Sequence, residues 1–103
     1  MWFKIQSAGS NIVSLKSNTD ISDQAWHLVT MTRDSGAVYN MYIDGVFETT
    51  VTDSDYDNFV GKLYFGSKGL EGSLLWPGKI DEVRIYNRAL SATEITKLYN
   101  LGK

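Results

Sequence analysis

Two carboxylate groupings and one histidine are where chemistry would be sought in this chain. Asp81-Glu82 offers neighbouring carboxyls, and glycoside hydrolysis needs two of them flanking the scissile bond, one protonated and one ionised. Adjacent residues of a strand point to opposite faces, so this pair does not converge. Glu82 is instead placed to pair with Arg84, two positions on and on the same face. Asp53-Ser-Asp55-Tyr-Asp57 alternates carboxylates like the opening of a calcium loop. An EF-hand requires Gly at the sixth loop position and Glu at the twelfth. Those positions hold Asn58 and Tyr64, so the run reads as a solvated acidic turn. His27 is the single histidine and has neither a metal-sharing partner of its own kind nor an adjacent nucleophile pattern. It reads as a hydrogen-bonded or sheet-surface residue. The chain has no Cys, hence no disulfide, thiolate zinc site or cysteine nucleophile. No Gly-x-Ser-x-Gly elbow is present, and Gly66-Ser-Lys-Gly69 lacks the phosphate-loop pattern. Nothing here assembles a catalytic set.

Binding chemistry is better represented. Three Trp, six Tyr and four Phe stand in 103 residues, and aromatic faces suit both apolar surfaces and the apolar side of a sugar ring. Trp76, in Ser73-Leu-Leu-Trp-Pro-Gly78, has two readings, a core anchor or a stacking platform. Tyr64, Arg84 and Tyr86 are expected to share one sheet face. Tyr with Arg is the composition of binding patches, and Tyr on a sheet is also ordinary strand chemistry.

These residues need a scaffold, and the chain is long enough for one domain, residues 1–103, but too short for two. The net charge of −2 comes without a basic run, which excludes the electrostatic footprint of a nucleic-acid binder. No apolar run approaches the roughly 18 residues of a membrane helix, and Met1–Ser10 does not have the pattern of a secretory leader. The chain is therefore expected either to work where it is made or to be part of a longer exported protein. Turn signals recur at short intervals, and β-branched and aromatic runs lie between them. The expected strands are Met1–Ser7, Asn11–Lys16, Trp26–Arg33, Val38–Ile43, Val46–Thr52, Lys62–Phe65 and Lys79–Tyr86. Asp44-Gly45 predicts a two-residue hairpin with both central residues at positive φ. Tyr39, Met41 and Ile43 then share one face, with Val38, Asn40 and Tyr42 on the other. Trp26–Met31 is apolar on both faces and is expected to be a central strand. Ser91-Ala-Thr-Glu94 predicts a capping box, flanked by Leu90 and Ile95 at staple positions. A closing helix of about two turns, stopping near Gly102, follows.

The segment Gly78-Lys-Ile-Asp-Glu-Val-Arg-Ile-Tyr-Asn-Arg-Ala-Leu-Ser91, continued by Glu94-Ile95, resembles the terminal signature of the laminin-G-like, concanavalin A-type jelly-roll family. Trp26-His-Leu-Val-Thr30, Tyr42-Ile-Asp-Gly45 and Gly66 after Leu63-Tyr-Phe65 stand in the matching order. The resemblance implies an all-β, antiparallel jelly-roll-like sandwich with one short C-terminal helix. It also implies that strands preceding Met1–Ser7 are lacking, which would leave apolar faces and open edges. Those would be relieved by a reduced sandwich or by a homodimer, the latter being the favoured expectation. In the same family the carboxylate at Asp81 helps hold a structural Ca2+ together with N-terminal groups. The implied function is non-catalytic recognition of carbohydrate or of a protein, extracellularly or at a cell surface, with Tyr64, Trp76, Arg84 and Tyr86 as contact residues. The alternative is a structural protein that buries its open sheet in a homodimer and takes no small ligand. A relict glycosidase is the third option.

Overall fold

The computed structural model describes residues 2–7, 10–53, 65–66 and 75–102. Among the described residues, five strands and one helix run in the order β1 (Trp2–Ser7), β2 (Ser10–Lys16), β3 (Val29–Arg33), β4 (Val38–Ile43), β5 (Val46–Thr52) and α1 (Ala92–Leu101). All pairing is antiparallel: β1 with β2 in one sheet, and β3-β4-β5 in the other. The two sheets face each other through Val13 and Leu15 of β2 and Tyr39, Met41 and Ile43 of β4, all buried, with Val29, Met31 and Val51 at the margin. Alternation along β4 puts Tyr42 on the opposite face, where it meets Leu90 and the wholly buried Ile95 of α1. The layers are thus a two-stranded sheet, a three-stranded sheet and a helix, and β4 is the strand covered on both sides. Mostly antiparallel strands followed by one short C-terminal helix is the architecture the sequence implied.

Local rules account for the joints. Asp44 (φ 52) and Gly45 (φ 80) both take the left-handed conformation, which matches the right-handed twist of the flanking strands. Gly45 also lets α1 approach, for a Cβ there would lie 3.3 Å from Thr96 Cα and from Tyr99 Cβ. Thr96 Oγ1 donates to the Gly45 carbonyl at 3.3 Å. Ser91 caps the helix as expected: the Glu94 amide donates to Ser91 Oγ at 3.2 Å, and the Ser91 amide donates to Glu94 Oε2 at 2.8 Å. The helix is 10 residues long, nearly a turn more than expected. Its C-cap is Gly102, whose amide donates to the Tyr99 carbonyl.

A bulge on β5 has a structural use. The register passes from Met41↔Thr49 to Tyr42↔Phe47, leaving Glu48 as the extra residue. Bulges re-aim side chains, and Glu48 turns to the segment that crosses between the sheets. Its Oε2 accepts the amides of Asn18 at 2.9 Å and Thr19 at 3.0 Å, and its Oε1 accepts the Thr19 hydroxyl. The Thr19 hydroxyl and amide, then the Asn18 amide, hold the Glu48 carboxyl below its ordinary range.

Three expectations are corrected. Trp26–Arg33 is a strand only from Val29. The next rung, at Leu28, has one backbone bond, from the Asp44 amide to the Leu28 carbonyl at 2.9 Å; the other partner is a side chain, Asp44 Oδ1 accepting the Leu28 amide at 3.0 Å. Nor is this strand central: β3 lies at the edge of its sheet among the described strands, and Trp26 is 67% exposed. An all-apolar run reads as doubly covered, but here the hairpin gives the middle position to β4. Finally, Lys79–Tyr86 forms no strand. Glu82 sits at φ 53, outside the extended region, and the segment joins no ladder among the described residues. Lys62–Phe65 lies outside the described residues except for Phe65.

Candidate functional site

Of the four contact residues expected from the sequence, Tyr64 lies outside the described residues. The other three stand on the irregular segment 75–90 that leads into α1. Trp76 is anchored through its backbone, its amide donating to the Gly66 carbonyl at 2.7 Å. Gly66 is required at that joint: it takes φ 74, and a Cβ would come within 2.8 Å of Ile80 Cδ1. The Trp76 side chain lies against Gly66 and Gly78 at the surface and is 37% exposed. This is neither a sealed core position nor a fully open platform. Arg84 and Tyr86 lie two residues apart on a segment that belongs to no described strand, so they do not share a sheet face there. The Tyr86 hydroxyl and then the Glu82 carboxylate, which accepts from Arg84 Nη2 at 3.3 Å, favour the charged guanidinium.

Tyr86 borders a feature that sequence reasoning missed. Between it and α1 runs an open groove of about 230 Å³, walled by Leu90, Leu98 and Leu101 and rimmed by Arg88, Glu94 and Lys97. Arg88 grips Glu94 with two bonds, Nη1 to Oε2 at 2.8 Å and Nη2 to Oε1 at 2.9 Å. That fork, with the Ser91 amide, pulls the Glu94 carboxyl down to about 2. The groove is shallow and open to solvent, with an aromatic flank, an aliphatic wall and charged groups at its rim. Only the i, i+4 spacing of Glu94 and Leu98, with Leu101 three residues further, hinted at this wall. Tyr86 joins it across a bend at Asn87 and Arg88.

The carboxylates do not converge. Asp81 accepts the adjacent Glu82 amide at 2.8 Å through Oδ1, a local contact. Glu82 is committed to Arg84 at the surface, as its spacing predicted. Among the described residues, no cluster of three or more His, Cys, Asp or Glu side chains has the arrangement of a metal site. Of the acidic run at Asp53–Asp57, only Asp53 lies within the described residues, and its amide donates to the Ala37 carbonyl.

Outside this surface, His27 is held between two carboxylates. Its Nδ1 lies 2.7 Å from Asp44 Oδ2 and its Nε2 lies 2.8 Å from Asp23 Oδ1. The side chain is 14% exposed. Asp23 and then Asp44 raise the imidazole above its ordinary value of 6.5. The His27 bond, with the Ala25 amide, lowers Asp23 below its ordinary 3.8. No hydroxyl nucleophile stands in this arrangement, since both nitrogens are engaged by carboxylates. It is the hydrogen-bonded histidine expected from the sequence.

The fold agrees with what the chain is similar to. Residues 1–96 match the laminin-G family model described as the concanavalin A-like lectin/glucanases superfamily, and the chain belongs to that family. A crystal structure of an S-layer domain-containing protein from Clostridium thermocellum is similar at a TM-score of 0.56 and 27% identity, over 84% of this chain. The present chain spans 45% of that one. No curated protein matches. No helix among the described residues is long and apolar enough to cross a membrane.

Proposed function

We propose that this chain is a non-catalytic recognition module of a cell-surface assembly, and that it binds carbohydrate through the surface formed by Trp76, Arg84, Tyr86 and the groove beside α1. The observation that carries this reading is the groove itself: an open, Leu-walled cleft with an aromatic flank and a rim of fixed charges, in a superfamily whose description joins lectins and glucanases. Tyr86 and Trp76 supply faces for the apolar side of a sugar ring. Arg88, Glu94 and Lys97 supply donors and acceptors for its hydroxyls. A hydrolytic role is not favoured, because Asp81 and Glu82 are turned to separate local partners. The similarity to an S-layer domain-containing protein supports a cell-surface setting. Tyr64 belongs to the proposed contact set on its sequence position. Asp81 is proposed as one ligand of a Ca2+ whose remaining oxygens come from elsewhere. A glycan array probed with and without calcium tests the reading, with selective retention of one oligosaccharide class expected.

A second reading has its own support. Ile80, Val83 and Ile85 are each about half exposed or more, on a segment that joins no ladder among the described residues. Exposed β-rich segments invite pairing, and a second copy of the chain covering them in a homodimer would make the protein structural rather than ligand-binding. Light scattering separates the two. A monomer at micromolar concentration leaves the surface free for ligand, whereas a dimer that Val83→Lys dissolves assigns it to self-association.

A further inference from the structure

The segment Ser17–Leu28 is the crossing between the two sheets, from the end of β2 to the start of β3. Each of its ends is tied to the hairpin that β4 and β5 form. The first tie is Glu48, on the amides of Asn18 and Thr19. The second is His27, which bridges Asp23 of the segment to Asp44 of the hairpin turn. Around that bridge, Asp44 Oδ1 accepts the Leu28 amide at 3.0 Å and the Asp44 amide donates to the Leu28 carbonyl at 2.9 Å. An ionised carboxylate only accepts hydrogen bonds. Both bonds to His27 therefore need a proton on each ring nitrogen, that is, an imidazolium. Loss of one proton sets a nitrogen lone pair against a carboxylate oxygen, and one of the two bonds becomes a repulsion.

We propose that His27 is a proton-operated tie. As the imidazolium it locks the crossing segment to the Asp44-Gly45 turn, and as the neutral imidazole it releases the Asp23 side, loosening residues 20–28 and the Leu28–Asp44 rung. The titratable groups facing the ring are Asp23 from the segment and Asp44 from the turn. The helix packed against the turn brings Thr96 and Tyr99 to Gly45. The direction of the effect follows from the shifts. His27 is raised, so its contribution is complete below its ordinary 6.5 and disappears as pH rises through its folded-state value. Asp23 is lowered, so its contribution is complete above its ordinary 3.8 and disappears as pH falls through its folded-state value. The tie is therefore strongest in mildly acidic solution and opens on the alkaline side. Trp26, 67% exposed and next to the ring in sequence, rides on the segment that is released.

Because His27 is the single histidine, its proton NMR titration is read without assignment ambiguity. The expected titration lies above that of a free histidine and moves down toward it in Asp23→Asn. Over the same pH range the amide-exchange protection factors of Leu28 and Asp44 should fall about tenfold, the scale of losing one charge-assisted hydrogen bond. In His27→Gln they should be low at both ends of the range. A titration at or below that of a free histidine overturns the proposal, as does wild-type protection that does not change between pH 6 and pH 9. Should His27→Gln fail to fold, the wild-type and Asp23→Asn titrations still decide.

Discussion

Glu94 shows how one side chain can serve two structural ends. It closes the capping box with Ser91 and receives both guanidinium nitrogens of Arg88. Ser91→Ala removes the hydroxyl acceptor and should cost about 1 kcal/mol, read as a lowered midpoint in urea unfolding. The pH dependence has a definite sign. Glu94 is lowered, so its contribution is complete above its ordinary 4.5 and vanishes as pH falls through about 2. Helical circular dichroism followed down through that range should weaken in the wild type and be less pH-dependent there in Glu94→Gln. The capping box was legible in the sequence because all its atoms lie within four residues. The histidine tie was not. Asp44 is 17 positions from His27, and Asp23, though only four away, is on an irregular segment where that spacing predicts no contact. Only the turn at Asp44-Gly45 and the path of the crossing bring three such residues together.

At the level of elements, the hairpin Val38–Thr52 organises the rest. Its β4 strand supplies Met41 to the inter-sheet core and Tyr42 to the helix face, so both packing layers depend on it. Met41 is fully buried, and Met41→Ala should destabilise by roughly 2–5 kcal/mol in thermal or chemical unfolding. Gly45→Ala should cost about 1–2 kcal/mol from the left-handed backbone alone, with a further loss where the new methyl meets Thr96 and Tyr99. Amide exchange across α1 would report that second part. Period-two alternation and the Asp-Gly dipeptide made this hairpin and its two faces readable. The same alternation misplaced Lys79–Tyr86, because residue pattern describes a strand's faces and not its neighbour. Edge against centre was misjudged for the same reason: the apolar run from Trp26 to Met31 said nothing about which strand would flank it.

At the scale of the whole molecule, the described residues form two facing sheets and a helix, and the proposed contact surface lies on the connecting segment 75–90, outside any described strand. Tyr86 was singled out in the sequence with Tyr64 and Arg84 as residues of one sheet face, but Arg84 and Tyr86 stand on a segment outside any described strand. The groove was not recognised, since its walls are contributed by a helix whose docking depends on Tyr42, Leu90 and Ile95 meeting. Burial of that helix face also means that groove variants can be chosen outside the core: Tyr86 and Leu101 are exposed. Tyr86→Ala and Leu101→Ala should therefore leave the unfolding midpoint nearly unchanged, within about 0.5–1 kcal/mol. The decisive measurement is a calorimetric titration of the array-selected oligosaccharide into a sample sized as monomer, with calcium and without. A saturable heat with a dissociation constant below about 1 mM, weakened tenfold or more by Tyr86→Ala, which corresponds to 1.4 kcal/mol, is the predicted result. Absence of saturable heat in both buffers, or binding that Tyr86→Ala leaves untouched, would contradict it.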